Sequence, residues 1–108
     1  MTGGFMGRVL VVDLSVGAYD KVDIPEEVFR DFLGGHGLGA WFIYREQPRN
    51  ADPLGEEAIL GFMPGLLTGT SVPFSGRFMV VGKSPLTGGW GDANAGGYLS
   101  PEIKRCGY

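Results

Sequence analysis

The stretch from Gly65 to Gly97 holds the residues whose types and spacing best suit a ligand site. That stretch carries Arg77 and Lys83, the only cations between Arg49 and Lys104, together with Asp92, Asn94 and nine of the chain's 20 glycines. Elsewhere stand a single histidine, His36, and a single cysteine, Cys106. A guanidinium at the mouth of a glycine loop suits a phosphate or a polar heterocycle, because its N–H donors form a fixed fork. Glycine lets the backbone N–H groups of such a loop come close to a ligand. The short β-prone run Phe78-Met79-Val80-Val81, with a loop on either side, would hold Arg77 in place. The stretch reads as part of a cofactor cradle.

Other chemistries fit less well. Gly82-Lys83-Ser84 invites comparison with a phosphate-binding P-loop, but the upstream Gly76 is one residue too far away and Pro85 interrupts the helix that should follow. Gly35-His36-Gly37-Leu38-Gly39 is not a dinucleotide fingerprint, and it follows a helix rather than a strand. Ser75 lacks the first glycine of a nucleophile elbow, and His36 has no partner pattern for a triad. His36 reads as a loop or packing histidine before a metal ligand or base. Asp92 reads as a turn former before a cation ligand. At ~3.3 Å per residue Arg77 and Lys83 stand roughly 20 Å apart on a strand, so they cannot clamp one small anion. Taken alone, Arg77 also fits a solvated strand-end arginine. Asn94-Ala95-Gly96-Gly97 offers an amide and open backbone on the second loop.

Composition narrows the class. At 108 residues the chain is a single domain with one modest core. With 44% hydrophobic and 19% charged residues it is globular rather than disordered. Average usage would give about 7% glycine, so the 20 present imply turns and close backbone approaches. A net charge of −3 and a pI near 5.0 argue against a nucleic-acid surface. Residues 58–76 are uncharged, but Pro64, Pro73 and four glycines break the run, so a spanning helix is not expected and no membrane partner is predicted. The first residues lack the apolar core of a signal peptide, so a cytoplasmic protein is expected. One cysteine rules out a disulfide framework, and Cys106 reads as a small buried residue in a helix.

The elements that must position these residues form a mixed α+β pattern. Arg8–Leu14 and Ala18–Ile24 are predicted to make a β-hairpin, its first arm apolar on both faces and so interior to a sheet. Pro25-Glu26-Glu27 opens a helix whose apolar face is Val28, Phe29, Phe32 and Leu33, ended by Gly34-Gly35. Gly37–Arg45 predicts a second helix, and 48–53 a polar connector. Ala58–Met63 is a buried-strand candidate. Ser100-Pro101-Glu102 predicts a capped helix start and Gly107 its left-handed end.

Several motifs occur in order: Phe32-Leu33-Gly34-Gly35-His36-Gly37-Leu38-Gly39-Ala40, Pro64-Gly65-Leu66-Leu67-Thr68-Gly69-Thr70, Ser75-Gly76-Arg77-Phe78, Lys83-Ser84-Pro85-Leu86-Thr87-Gly88, Asn94-Ala95-Gly96-Gly97-Tyr98 and Pro101–Tyr108. Through them the chain resembles the N-terminal domain of tungsten-containing aldehyde ferredoxin oxidoreductases over nearly its whole length. His36 stands where that family more often has arginine. The resemblance implies a twisted, mostly antiparallel sheet with short flanking helices, a base beneath a tungsten (or molybdenum) bis-pterin cofactor. It implies a family that oxidises aldehydes to acids and passes electrons through an iron–sulfur cluster to ferredoxin. By motif match, Arg77 would hydrogen-bond the dithiolene or phosphate region. Asn94, Ala95, Gly96 and Gly97 would line a pterin, with the Asn94 main-chain carbonyl near a magnesium that bridges the pterin phosphates.

Catalytic residues and cluster cysteines are expected in later domains, and with one cysteine the chain cannot hold the cluster. Residues 1–108 are thus expected to be one incomplete pterin-binding domain that binds no cofactor alone. Its partners would be the remaining domains or a second copy of itself. The alternatives are an inert stand-alone binding or assembly module, and a fragment that oligomerises.

Overall fold

A computed structural model describes residues 3–108. The chain runs β1 (Arg8–Asp13), β2 (Ala18–Asp23), α1 (Glu26–Phe32), α2 (Gly35–Glu46), β3 (Gly61–Pro64), β4 (Phe78–Lys83), β5 (Trp90–Ala95) and α3 (Leu99–Arg105). Two antiparallel sheets result, the hairpin β1-β2 and the three-stranded β3-β4-β5. The α+β expectation holds.

The hairpin closes where Gly17, at φ +70°, donates to the Asp13 carbonyl and the Asp13 carboxylate accepts the Ser15 N–H. Period-two alternation sends Val9, Val11 and Val22 inward against the core, where Ile24, Val28, Phe29, Leu38, Phe42, Ile43, Met63 and Val81 are buried together. The rings of Phe5 and Phe29 stack at 4.7 Å, which pins the residues before β1 to α1. The first arm is not interior, however. β1 has one neighbour, and the side chains it sends the other way, Leu10 and Val12, are exposed beside Tyr19. Its second apolar face has no layer over it within the described residues.

Helix α2 lies on the three-stranded sheet closely enough to need glycine. A Cβ at Gly34 would meet the Pro64 carbonyl oxygen at 2.7 Å and the Leu66 nitrogen at 2.9 Å; one at Gly39 would meet Val81 at 2.6 Å. Gly34 and Gly37 thus sit against main chain and Gly39 against a side chain, whereas Gly35, at φ +59°, makes only an ordinary contact with Met79.

Several local expectations are corrected. The second loop beside β4 is mostly a strand: β5 follows a six-residue turn and pairs with β4 throughout. Asp92 lies on that strand rather than in a turn, its carboxylate accepting the Trp90 indole N–H at 2.8 Å. Ser100 does not cap α3, which already begins at Leu99; its hydroxyl points inward instead. Cys106 is exposed, not buried. Phe32 and Leu33 are largely exposed, so α1 buries only Val28 and Phe29. The 48–53 connector is not simply solvated, because Ala51 is buried and its carbonyl accepts the Lys83 ammonium at 2.8 Å. Among the described residues no helix is long and apolar enough to cross a membrane.

Gly34→Ala should lower unfolding free energy by about 1–3 kcal/mol, since main chain and not a yielding side chain occupies the space its methyl needs. Urea unfolding of the two proteins checks this.

Candidate cofactor-binding ledge

The site is built from the Arg77 main chain outward. Its carbonyl receives three donors: the Thr68 hydroxyl at 3.0 Å, the Ser100 hydroxyl at 3.2 Å and the Gly65 N–H at 3.3 Å. Thr68 and Ser100 are 2% and 0% exposed, so both hydroxyls depend on this acceptor for a partner. The three donors come from the turn after β3 and from α3, and they converge on the residue just before β4. With the main chain held, the Arg77 side chain extends into the open. Its Nη1 donates to Asn94 Oδ1 at 2.9 Å, and the guanidinium is otherwise exposed.

Strand register explains that meeting. Phe78 pairs with Ala95 and Met79 with Asn94, so Arg77 falls opposite Gly96 and Gly76 opposite Gly97. The positions agree: a Cβ at Gly96 would lie 4.0 Å from the Arg77 Cζ, and one at Gly76 would lie 3.6 Å from the Gly97 oxygen. Gly97, at φ +105°, has nothing within 4 Å of where a side chain would begin. These residues form an open ledge, not a pocket. Two hollows among the described residues lie elsewhere, one beside Leu10, Tyr19 and Tyr108 and one beside Gly88–Trp90.

The ladder also settles which backbone groups are free. Gly65 N–H donates to the Arg77 carbonyl on one side of β4, and Ser84 N–H to the Gly89 carbonyl on the other. Hydrogen-bonded and non-bonded pairs alternate in an antiparallel ladder. Odd-numbered residues of β4 thus bond to β3 and even-numbered ones to β5. Asn94, opposite Met79, turns its main-chain N–H and carbonyl to the unpaired edge of the sheet.

The structure brings together Arg77, Asn94, Ala95, Gly96 and Gly97, and leaves the other candidates apart. Lys83 is spent on the Ala51 carbonyl. His36 is exposed in the first turn of α2. No cluster of three or more metal-ligating side chains exists among the described residues. Sequence reasoning missed the anchoring roles of Thr68, Ser100 and Lys104. The Lys104 ammonium reaches back to the Gly4 and Leu66 carbonyls, and burial pulls its pKa below the usual lysine value. Arg8 completes the clasp, with Nε on the Gly107 carbonyl at 2.9 Å and its guanidinium over the Tyr108 ring. No spacing in the sequence points to these long-range contacts.

Residues 9–108 match the family model described as aldehyde ferredoxin oxidoreductase, N-terminal domain. The chain belongs to that family. It is 45% identical to the tungsten-containing aldehyde ferredoxin oxidoreductase of Thermococcus kodakarensis and 43% identical to that of Pyrococcus horikoshii, each over 97% of this chain. It is 34% identical over 96% of its length to the WOR-like subunit of an aliphatic sulfonate oxidoreductase from Pyrococcus furiosus. In each case the chain spans only 17% of the relative's length. A solved structure, the active-site complex BamBC of benzoyl coenzyme A reductase with 1,5-dienoyl-CoA, contains a chain that superposes with a TM-score of 0.94 at 33% identity. That match covers all of this chain and 16% of the other.

If the shared carbonyl is what fixes Arg77, Thr68→Val and Ser100→Ala should each cost about 1 kcal/mol. Their effects should be non-additive, with a coupling of at least about 0.5 kcal/mol in a double-mutant cycle of urea unfolding.

Proposed function

We propose that this chain supplies one wall of the cofactor site of a tungsten oxidoreductase, as the first segment of an enzyme that oxidises aldehydes to carboxylic acids and delivers electrons to ferredoxin. The hydrogen bond from Arg77 to Asn94 carries this reading, because it joins the two loop ends into one exposed, donor-rich ledge.

The residues present fit a bis-pterin group. Arg77 spends one N–H donor on Asn94 and keeps others for a phosphate or dithiolene. Gly96 and Gly97 put no side chain in the way of a flat ring system. Ala95 sets the spacing between them and Asn94. The outward-turned Asn94 carbonyl offers a hard oxygen of the kind magnesium prefers. When bound, the tungsten bis-pterin supplies the redox chemistry. This chain's residues bind and orient it, and the Asn94 amide oxygen holds the Arg77 fork toward it.

Other parts of the site come from the rest of such an enzyme, which also accounts for the single cysteine here. The chain acts with those domains, in the cytoplasm, and ferredoxin is a partner of the complete enzyme.

The test joins residues 1–108 to the remainder of the Thermococcus kodakarensis enzyme and measures bound tungsten and pterin. The joined protein should retain both, and Arg77→Ala should speed tungsten loss on dialysis by roughly tenfold, as expected for losing a charged hydrogen bond. Equal retention by the two proteins would remove Arg77 from the site.

A further inference from the structure

Helix α3 grips the fold at two points on one face. Ser100 and Lys104 stand four residues apart, so their side chains lie one above the other. The Ser100 hydroxyl donates to the Arg77 carbonyl at 3.2 Å. One turn later, the half-buried Lys104 ammonium donates to the Leu66 carbonyl at 2.6 Å and to the Gly4 carbonyl. Leu66 belongs to the turn at 65–70, and that turn sends the other two donors, the Gly65 N–H and the Thr68 hydroxyl, to Arg77. Lys104 thus reaches Arg77 through the turn.

The turn is also seated on the lysine stem. A Cβ at Gly69, where φ is +78°, would lie 3.7 Å from the Lys104 Cβ and 3.9 Å from the Pro101 Cα. From the other side the residues before β1 lie against it, since a Cβ at Gly4 would meet the Leu66 oxygen at 3.2 Å. Within the turn, the Thr68 N–H donates to the Gly65 carbonyl and the Thr70 N–H to that of Leu67. Those bonds shape the turn but do not fix where it sits.

We infer that Lys104 is a positioning residue for the cofactor arginine. By holding the Leu66 carbonyl it keeps the 65–70 turn, with its Gly65 and Thr68 donors, on the Arg77 carbonyl, and so sets where the guanidinium begins. The inference deepens the proposed function and rests on Arg77 meeting the cofactor. A methionine at 104 would fill the space of the lysine stem but leave both carbonyls without their donor. The charge, and not the packing of the stem, is what the role requires.

The test uses the joined protein described above and a double-mutant cycle on tungsten loss during dialysis. Lys104→Met should speed that loss about threefold with Arg77 present, and by less than about 1.3-fold in the Arg77→Ala background, because the side chain it acts through is gone. In the same protein, the Gly65 and Thr68 amides of Lys104→Met should exchange hydrogen at least about tenfold faster. The Ser84 amide, bonded to the Gly89 carbonyl beyond the other end of β4, should be unchanged. Lys104→Gln keeps an amide donor for one carbonyl, so its effects should be smaller, and it serves if Lys104→Met does not fold. Equal acceleration of tungsten loss with and without Arg77 would overturn the inference. So would no acceleration where Arg77→Ala does accelerate loss, or exchange that quickens at Ser84 as much as at Gly65. If Arg77→Ala alone retains tungsten while Gly65 and Thr68 still quicken in Lys104→Met, the cofactor reading fails and the link from Lys104 to Arg77 stands.

Discussion

Everything at the ledge depends on one acceptor, the carbonyl of Arg77. A carbonyl oxygen has two lone pairs, and here it serves two buried hydroxyls and a backbone N–H. Each bond contributes only about 1 kcal/mol net, but leaving a buried hydroxyl without a partner costs about 1–3 kcal/mol. The turn after β3, the start of β4 and helix α3 therefore cannot move independently. The same residue is anchored through its main chain and free at its side chain, a division that gives a flexible arginine a fixed origin.

Glycine serves a different purpose in each half of the fold. At Gly34 and Gly39 it lets α2 and its entry sit against the main chain and against Val81, which is 1% exposed. At Gly96 and Gly97 it leaves space that nothing in this chain fills. A helical clasp at the far end, Lys104 to the Gly4 and Leu66 carbonyls and Arg8 to the Gly107 carbonyl, ties α3 to the residues around β1. The core is thus closed on the α2 side and by this clasp, while Leu10, Val12 and Phe62 reach the surface on the other faces of the sheets.

Much of this was legible beforehand, and the failures have physical causes. The hairpin was readable because β-branched residues and a glycine turn act locally. β5 was not: Gly91, Asp92, Asn94 and the alanines have little intrinsic strand preference, and pairing with β4 makes the strand. Ser100 had the right residue type for a cap but found a buried acceptor 23 residues away, a contact no local pattern encodes. Arg77 and Asn94 were both singled out, yet only the β4-β5 register puts them 2.9 Å apart. Lys83 ends the strand that Arg77 precedes, and its bond to the Ala51 carbonyl gives it a structural role.

The most direct measurement is the position of tungsten in crystals of the joined protein, located by anomalous scattering at the tungsten edge. The expected map places the metal and its pterins along the outer edge of β5, with the Arg77 guanidinium within hydrogen-bond distance of the cofactor and the Asn94 carbonyl facing its phosphates. Metal found on another surface, with Arg77 and Asn94 bonded only to each other and to water, would contradict the account.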